Sequence, residues 1–266
     1  MSFENYEEVV GNNHITMMCC DCMQILPKIP SESVDLLVTD PPYKVTPKGT
    51  SKSTVGGMLA KPLYKKGKVF QHNNLDCTVY APEFFRILKD GSHCYVMTNH
   101  VNLQHFLNTY TKAGFHFIKS LIWLKDNKIC GGFYMSQFEY ILFFRKGRGI
   151  PIRHAGTSDV FEEESVNEVL RVPNKKLKAP DGSNLHDTEK PVSLVQTLIT
   201  NSSDVGNIVI DPFMGIGSVG VACKATGRQF IGMEIDESYF KTAKERVKNT
   251  VFQKEAEEKK KAKEKK

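Results

Sequence analysis

The residues with the clearest chemical potential stand in the run Val38-Thr39-Asp40-Pro41-Pro42-Tyr43. Asp40 follows a short apolar stretch that reads as a buried strand, so its carboxylate belongs at a sheet edge, where open α/β folds bind their ligands. Two consecutive prolines stiffen the backbone behind it. The Asp40 carboxylate and the Pro41 carbonyl both accept hydrogen bonds and, held rigidly, can converge on one amino group. Tyr43 then offers a ring on which a flat base can stack, a contact worth about 1–3 kcal/mol. This set suits one difficult reaction. The exocyclic amine of a nucleobase is a poor nucleophile because its lone pair is delocalised into the ring. Accepting both N–H groups favours a pyramidal nitrogen with its lone pair available, and the carboxylate offsets the positive charge that builds as the nitrogen is alkylated. A base within a duplex must leave the stack to enter such a pocket.

A second constellation points to a nucleoside-containing cofactor. Ile208-Val209-Ile210-Asp211-Pro212-Phe213-Met214-Gly215-Ile216-Gly217-Ser218 sets a glycine turn between a β-branched strand and a helix, which allows a ligand close to the backbone. Glu234 ends the next expected strand, 23 positions after Asp211, where an acid can accept hydrogen bonds from both hydroxyls of a ribose. The third glycine of the dinucleotide fingerprint is missing, which favours a cofactor without a pyrophosphate. S-adenosyl-L-methionine meets that description.

Both constellations need strands that end at one edge of a sheet. Apolar runs predict strands over 14–19, 34–39, 93–98, 117–124, 140–144, 207–210 and 229–234. Helices are expected over 82–88, stopped by Asp90-Gly91, and over 103–113, 191–200, 218–225 and 237–251. Alternating strands and helices imply an α/β fold with a doubly wound, mostly parallel sheet covered on both faces. After Glu234 the last helix has to return to the sheet, and the next strand available is the N-terminal one at 14–19, which would bring Asp21 beside Glu234. Trp123 and Phe117 are read as members of a core strand rather than a platform for a base.

Charge is informative where it is local. The chain has 266 residues and a formal charge of +6, half of it in a Lys/Glu tail beyond residue 253 that reads as a solvated extension. Between 44 and 75, by contrast, Lys44, Lys48, Lys52, Lys61, Lys65, Lys66 and Lys68 occur with no acid and with several glycines, the pattern of a long basic loop that contacts a polyanion. A second polar, basic stretch runs from 145 to 185. Seven cysteines, three of them crowded at Cys19, Cys20 and Cys22, do not form a disulfide framework, and their spacing does not make a metal site. No apolar run is long enough to span a membrane, and the acidic N-terminus lacks a signal-peptide pattern, so a cytoplasmic location is expected.

Together these motifs resemble the DNA amino-methyltransferases, in the permuted group called β-class, in which the catalytic motif precedes the cofactor motif. Asp40-Pro41-Pro42-Tyr43 matches the family's catalytic tetrapeptide, and Asp211-Pro212-Phe213 through Gly215, Gly217 and Ser218 its cofactor loop. His186-Asp187-Thr188-Glu189-Lys190-Pro191 resembles the segment before that loop, and Asp21, flanked by Cys20 and Cys22, stands where the family usually has Gly-Asp. The resemblance covers about residues 15–247. It implies a circularly permuted Rossmann-like fold of the class I AdoMet-dependent methyltransferases. Asp40, Pro41, Pro42 and Tyr43 would then be catalytic. S-adenosyl-L-methionine would be held by Asp21, Cys22, Asp40, His186, Thr188, Lys190, Asp211, Phe213, Gly215, Gly217, Ser218 and Glu234.

The implied partner is double-stranded DNA, with the seven lysines of the 44–68 segment on it and no metal or membrane involved. Several members of the family act as homodimers or beside a cognate restriction endonuclease, which the residues leave open. Residues 1–43, 76–144 and 186–250 would form the catalytic domain, with 44–75 the basic loop, 145–185 a short target-recognition region and 251–266 the tail. Asp at the head of the tetrapeptide leans, in this family, towards adenine N6. Cytosine N4 is the alternative, followed by an RNA amine, a protein glutamine or a non-catalytic nucleic-acid-binding subunit. Ile216 and Cys20 depart from the small residues usual at their positions, and the 145–185 region is short for target recognition.

Overall fold

The computed structural model describes residues 4–10, 13–43, 75–129, 134, 136–156, 160–161 and 189–252. Their strands are β1 (Asn5–Val10), β2 (Asn13–Cys19), β3 (Val34–Thr39), β4 (Leu88–Thr98), β5 (His116–Ile129), β6 (Ser136–Arg145), β7 (Val160–Phe161), β8 (Ile208–Asp211) and β9 (Gln229–Glu234). The helices are α1 (Cys77–Ile87), α2 (Leu103–Lys112), α3 (Val192–Ser202), α4 (Ser218–Thr226) and α5 (Glu237–Lys248). Among the described residues no helix is long and apolar enough to cross a membrane.

One sheet carries these strands in the order β1-β2-β9-β8-β3-β4-β6-β5-β7. The run from β2 to β4 is parallel, and β6 lies antiparallel between β4 and β5. The central strand β3, Val-Asp-Leu-Leu-Val-Thr, is apolar on both faces because both are covered. Leu36 and Val38 join the core formed with α3, α4 and α5, whereas Val34 and Leu37 join the core formed with α1 and α2. The sheet is thus doubly wound, as expected. β2 pairs in parallel with β9, placing Cys19 opposite Glu234, so the N-terminal strand does fill the place beside β9.

Both ends of the first helix differ from expectation for identifiable reasons. The first helix begins at Cys77 rather than at Pro82, because Asp76 caps it by accepting from the Thr78 N–H. Pro82 therefore sits inside the helix, where it forfeits one backbone hydrogen bond. Nor does Asp90-Gly91 stop that helix. The chain enters β4 at Leu88, and the register against β3 shifts between Val34 and Leu36, a bulge that Gly91 permits with φ of 81°. The 145–185 stretch contributes the short strand β7 against β5. Trp123 is buried in the core, but Phe117 is 41% exposed, although it also lies on β5.

Candidate active site

Strands β3 and β8 end side by side, and their ends bring the two constellations together. Thr39 Oγ1 donates to Asp211 Oδ1 at 2.7 Å, and the Phe213 N–H donates to the same oxygen at 3.1 Å. Asp211 is 3% exposed, and burial raises its pKa to about 7 in spite of those two hydrogen bonds. Its side chain therefore pins the turn that leaves β8.

Asp40, one residue beyond β3, is arranged differently. Its Oδ2 accepts from the Lys190 ammonium, while its Oδ1 is buried and has no hydrogen-bond partner among the described residues. Burial raises the Asp40 pKa; Lys190 opposes that shift without cancelling it, and the nearby Glu139 carboxylate reinforces it. Lys190 also lies 3.4 Å from Glu139 Oε2, and Glu139 Oε1 accepts from Lys125. Burial alone would raise the Glu139 pKa, but the two ammonium groups outweigh it and hold Glu139 down at about 2. Lys190 keeps its proton for the same reason: burial disfavours the charge, while Asp40 and Glu139 raise its pKa. Trp123 floors this row, with Lys125 Nζ at 4.7 Å and Lys190 Nζ at 5.9 Å from its ring centroid. Acids and ammoniums thus alternate from Asp40 to Lys125 in a buried pocket.

On the other side of Asp211, the turn Met214–Gly217 joins β8 to α4. Gly217 caps α4 at φ of 80°, and a β-carbon there would lie 2.9 Å from that of Ala243, so both the conformation and the close helix contact require glycine. The Gly215 N–H donates to Glu234 Oε2 at 2.9 Å, and the Asp236 N–H to Glu234 Oε1 at 2.8 Å. Burial raises the Glu234 pKa to about 6 against those two bonds. Beyond β2, the Cys20 N–H donates to the Glu234 carbonyl, and Asp21 accepts from the Met23 N–H at 2.9 Å to cap a short 3₁₀ turn. Asp21 therefore stands just beyond the end of β2 and Glu234 at the end of the adjacent β9, with Glu234 next to the glycine turn.

Residues 34–245 match the family model described as DNA methylase. The chain belongs to this DNA methylase family. It is 28% identical over 243 residues to the Type II methyltransferase M.HinfI of Haemophilus influenzae, a match spanning 87% of this chain and 68% of that protein. It is 25% identical over 246 residues to the Type II methyltransferase M2.DpnII of Streptococcus pneumoniae, spanning 89% and 91% respectively. Among solved structures it is similar to the M1.HpyAVI–SAM complex, with a TM-score of 0.60 at 21% identity over 86% of this chain and 98% of that one. It is also similar to the cytosine-N4-specific PvuII DNA methyltransferase, with a TM-score of 0.62 at 16% identity over 87% and 85%. At these identities the likeness to solved structures is one of fold, the class I methyltransferase fold.

Within this family member, most of the described residues expected at the site lie at the carboxyl edge of β2, β9, β8 and β3. Pro41 is buried and Pro42 partly so, and the Tyr43 ring meets Phe106 edge-on, centroids 6.3 Å apart. Phe213 packs against Tyr80 and Phe84, Ser218 is buried at the start of α4, and the Cys22 thiol is buried in the core, where its pKa rises to about 12. His186, Thr188 and the lysines at 44, 48, 52, 61, 65, 66 and 68 lie outside the described residues. The structure adds four side chains that the sequence reading did not single out: Thr39, Lys125, Glu139 and Arg246. Arg246 on α5 holds Glu189 Oε1 at 2.8 Å and the Ile216 carbonyl at 2.6 Å, tying the glycine turn to the residue before Lys190. A charge set within an apolar strand, as Glu139 is in Phe-Glu-Tyr-Ile-Leu-Phe-Phe, is the one signal that pointed to any of them.

Proposed function

We propose that this DNA methylase family member transfers a methyl group from S-adenosyl-L-methionine to the N6 amino group of an adenine turned out of duplex DNA. The observation that carries this reading is that Asp40 Oδ1 accepts from none of the described residues. A buried carboxylate oxygen without a donor is unfavourable in a resting fold and suits a site that receives an N–H from outside. With Oδ2 anchored by Lys190, Oδ1 has a fixed direction in which to accept one N–H of the amine, and the Pro41 carbonyl is the acceptor for the second. Tyr43 holds the base by its ring face.

The donors and acceptors around the glycine turn fit the cofactor. Each oxygen of Glu234 has one backbone donor and can accept another hydrogen bond, which suits the two ribose hydroxyls. Asp21 is the acceptor for an adenine amine, and the turn at Gly215 and Gly217 gives the backbone room to approach. Lys190, with His186 and Thr188 just before it, would border the methionine part. When bound, the cofactor supplies an electrophilic methyl group on a sulfonium. The chain's own residues hold the amine in line, shield it from water and offset the charge that develops on nitrogen before its proton leaves. The strand order supports a permuted arrangement of motifs, because one pocket is lined by residues from both ends of the chain.

The lysines of the 44–68 segment favour a polyanionic substrate, and the Type II names of the relatives suit a place in restriction-modification. The choice of adenine rests on Asp at the head of the tetrapeptide. Nuclease digestion and mass spectrometry of DNA treated with the protein and cofactor should give N6-methyladenine, and N4-methylcytosine as the only product would overturn the choice. Asp40→Ala should lose turnover while cofactor affinity, read by calorimetry, stays within about threefold, less than 1 kcal/mol.

A further inference from the structure

Glu139 and Lys125 belong to neither constellation, yet they continue the charge row that begins on Asp40. Lys190 stands between two carboxylates: it donates to Asp40 Oδ2 and lies 3.4 Å from Glu139 Oε2. Glu139 is in turn shared between Lys190 and Lys125. All three side chains beyond Asp40 are largely buried, at 6% exposure for Lys190, 16% for Glu139 and 7% for Lys125, so their mutual attractions are weakly screened. β5 and β6 pair across this region, with Trp123 opposite Glu139, so Lys125 and Glu139 are both carried on strands. Among the described residues, the charged groups that act most on Asp40 are Lys190 ahead of α3, Glu139 on β6 and Lys125 on β5, and Asp211 at the end of β8 interacts with it from the other side.

We propose that Glu139 and Lys125 are positioning residues that divide Lys190 between two carboxylates and thereby set how much negative charge Asp40 keeps for the incoming amine. The inference rests on the reading of Asp40 as the acceptor of that amine. A lysine bound only to Asp40 would neutralise the carboxylate and weaken it as an acceptor. No cation at all would leave a buried carboxylate that takes up a proton more readily and can then no longer accept through both oxygens. Glu139 draws part of the Lys190 charge away, and Lys125 limits how much it draws. The four groups thus act as a graded counterweight, with neither Glu139 nor Lys125 needing to touch the substrate.

Opposite effects follow from the two ends of the row. Glu139→Gln removes a like charge from near Asp40 and releases Lys190 onto it, so Asp40 should titrate at lower pH by about one unit. Lys125→Met removes a cation and lets Glu139 take more of Lys190, so Asp40 should titrate higher by about the same amount. The full chain, labelled with 13C at aspartate carboxyls, reports this directly, with the Asp40 resonance identified by its absence in Asp40→Asn. The acid limb of kcat against pH on duplex DNA gives the second readout. Opposite displacements in both readouts are the expected result. Unmoved titrations, displacements in one direction in both variants, or a carboxyl that moves while the acid limb stays would overturn the proposal. If Glu139→Gln fails to fold, the sign of the Lys125→Met displacement decides alone. If the wild-type protein methylates no DNA while its Asp40 carboxyl moves in opposite senses in the two variants, the division of charge stands and the methyltransferase reading falls.

Discussion

Thr39 Oγ1 donates a 2.7 Å hydrogen bond to Asp211 Oδ1, joining the strand that presents Asp40 to the strand that launches the glycine turn. The two residues are 172 positions apart in the chain, so this bond exists only once β3 and β8 are paired. Asp211 is buried, and its pKa is raised from 3.8 to about 7 by that burial. A folded-state pKa above the unfolded value means that the folded protein holds a proton the unfolded chain releases. The stability contributed by Asp211 is therefore fully present below pH 3.8 and is lost as pH rises to about 7. Asp211→Asn keeps an acceptor for Thr39 and the Phe213 N–H but carries no charge. Denaturant unfolding should show the wild type falling behind Asp211→Asn by about 1.4 kcal/mol per pH unit within that window, levelling off above it. Parallel stability curves would show that Asp211 ionises without penalty.

Much of this arrangement could be read from the chain before folding, and what could not has a common cause. The apolar run before Asp40 and the β-branched run before Asp211 each announced a buried strand, and the strand ends then had to meet at one edge. The pairing of β2 with β9 followed from the need of α5 to return to a sheet. What stayed hidden were partnerships across long sequence separations. Lys190 was read as a cofactor-side residue, and nothing local shows that its ammonium seats on Asp40, 150 positions away. Arg246 falls on the last expected helix, and nothing local ties it to Glu189 or to the Ile216 carbonyl. Pro82 misled because proline more often opens a helix than sits within one, whereas here the Asp76 cap sets the start. The 145–185 region and the 44–68 lysines have no such local grammar.

Glu234 gives a second pH-dependent prediction, this time on binding. Burial raises its pKa to about 6. If its carboxylate accepts the ribose hydroxyls, the cofactor favours the ionised form, so affinity should strengthen as pH rises from about 5 to 7. Glu234→Ala should weaken binding about tenfold to a hundredfold, the equivalent of about 1.5–3 kcal/mol for hydrogen bonds to a charged group. Glu234→Gln should flatten the pH dependence. Calorimetric titration of the cofactor at several pH values checks both, and an unchanged Kd in Glu234→Ala would remove Glu234 from the cofactor site.

Tyr43 separates stacking from hydroxyl chemistry. Its ring is braced edge-on by Phe106 at an interplanar angle of 84°, which leaves the ring's orientation dependent on α2. Tyr43→Phe should retain most of kcat/KM on duplex DNA. Tyr43→Ala should lose about 1–3 kcal/mol of base stacking, a rate loss of about five- to a hundredfold. Equal losses in the two variants would move the function of this residue from its ring to its hydroxyl.

Arg246 is the test of how the cofactor turn is held to the Lys190 segment. Burial lowers its pKa, against the Glu189 carboxylate that raises it. The Glu189 side chain is only 7% exposed, so removing the guanidinium takes a charge partner from a buried carboxylate and frees the Ile216 carbonyl at the same time. Arg246→Met should therefore cost about 3–5 kcal/mol of stability. Most of that loss is the penalty on Glu189 and not the worth of the pair, so the double variant Glu189→Gln with Arg246→Met should recover stability relative to Arg246→Met alone. Cofactor affinity should not recover with it, because the Ile216 carbonyl still lacks its donor and the turn around Gly215 and Gly217 is left loose. Denaturant unfolding and cofactor calorimetry on the two variants measure the two effects separately, and recovery of both together would show that Arg246 acts only as the counterion of Glu189.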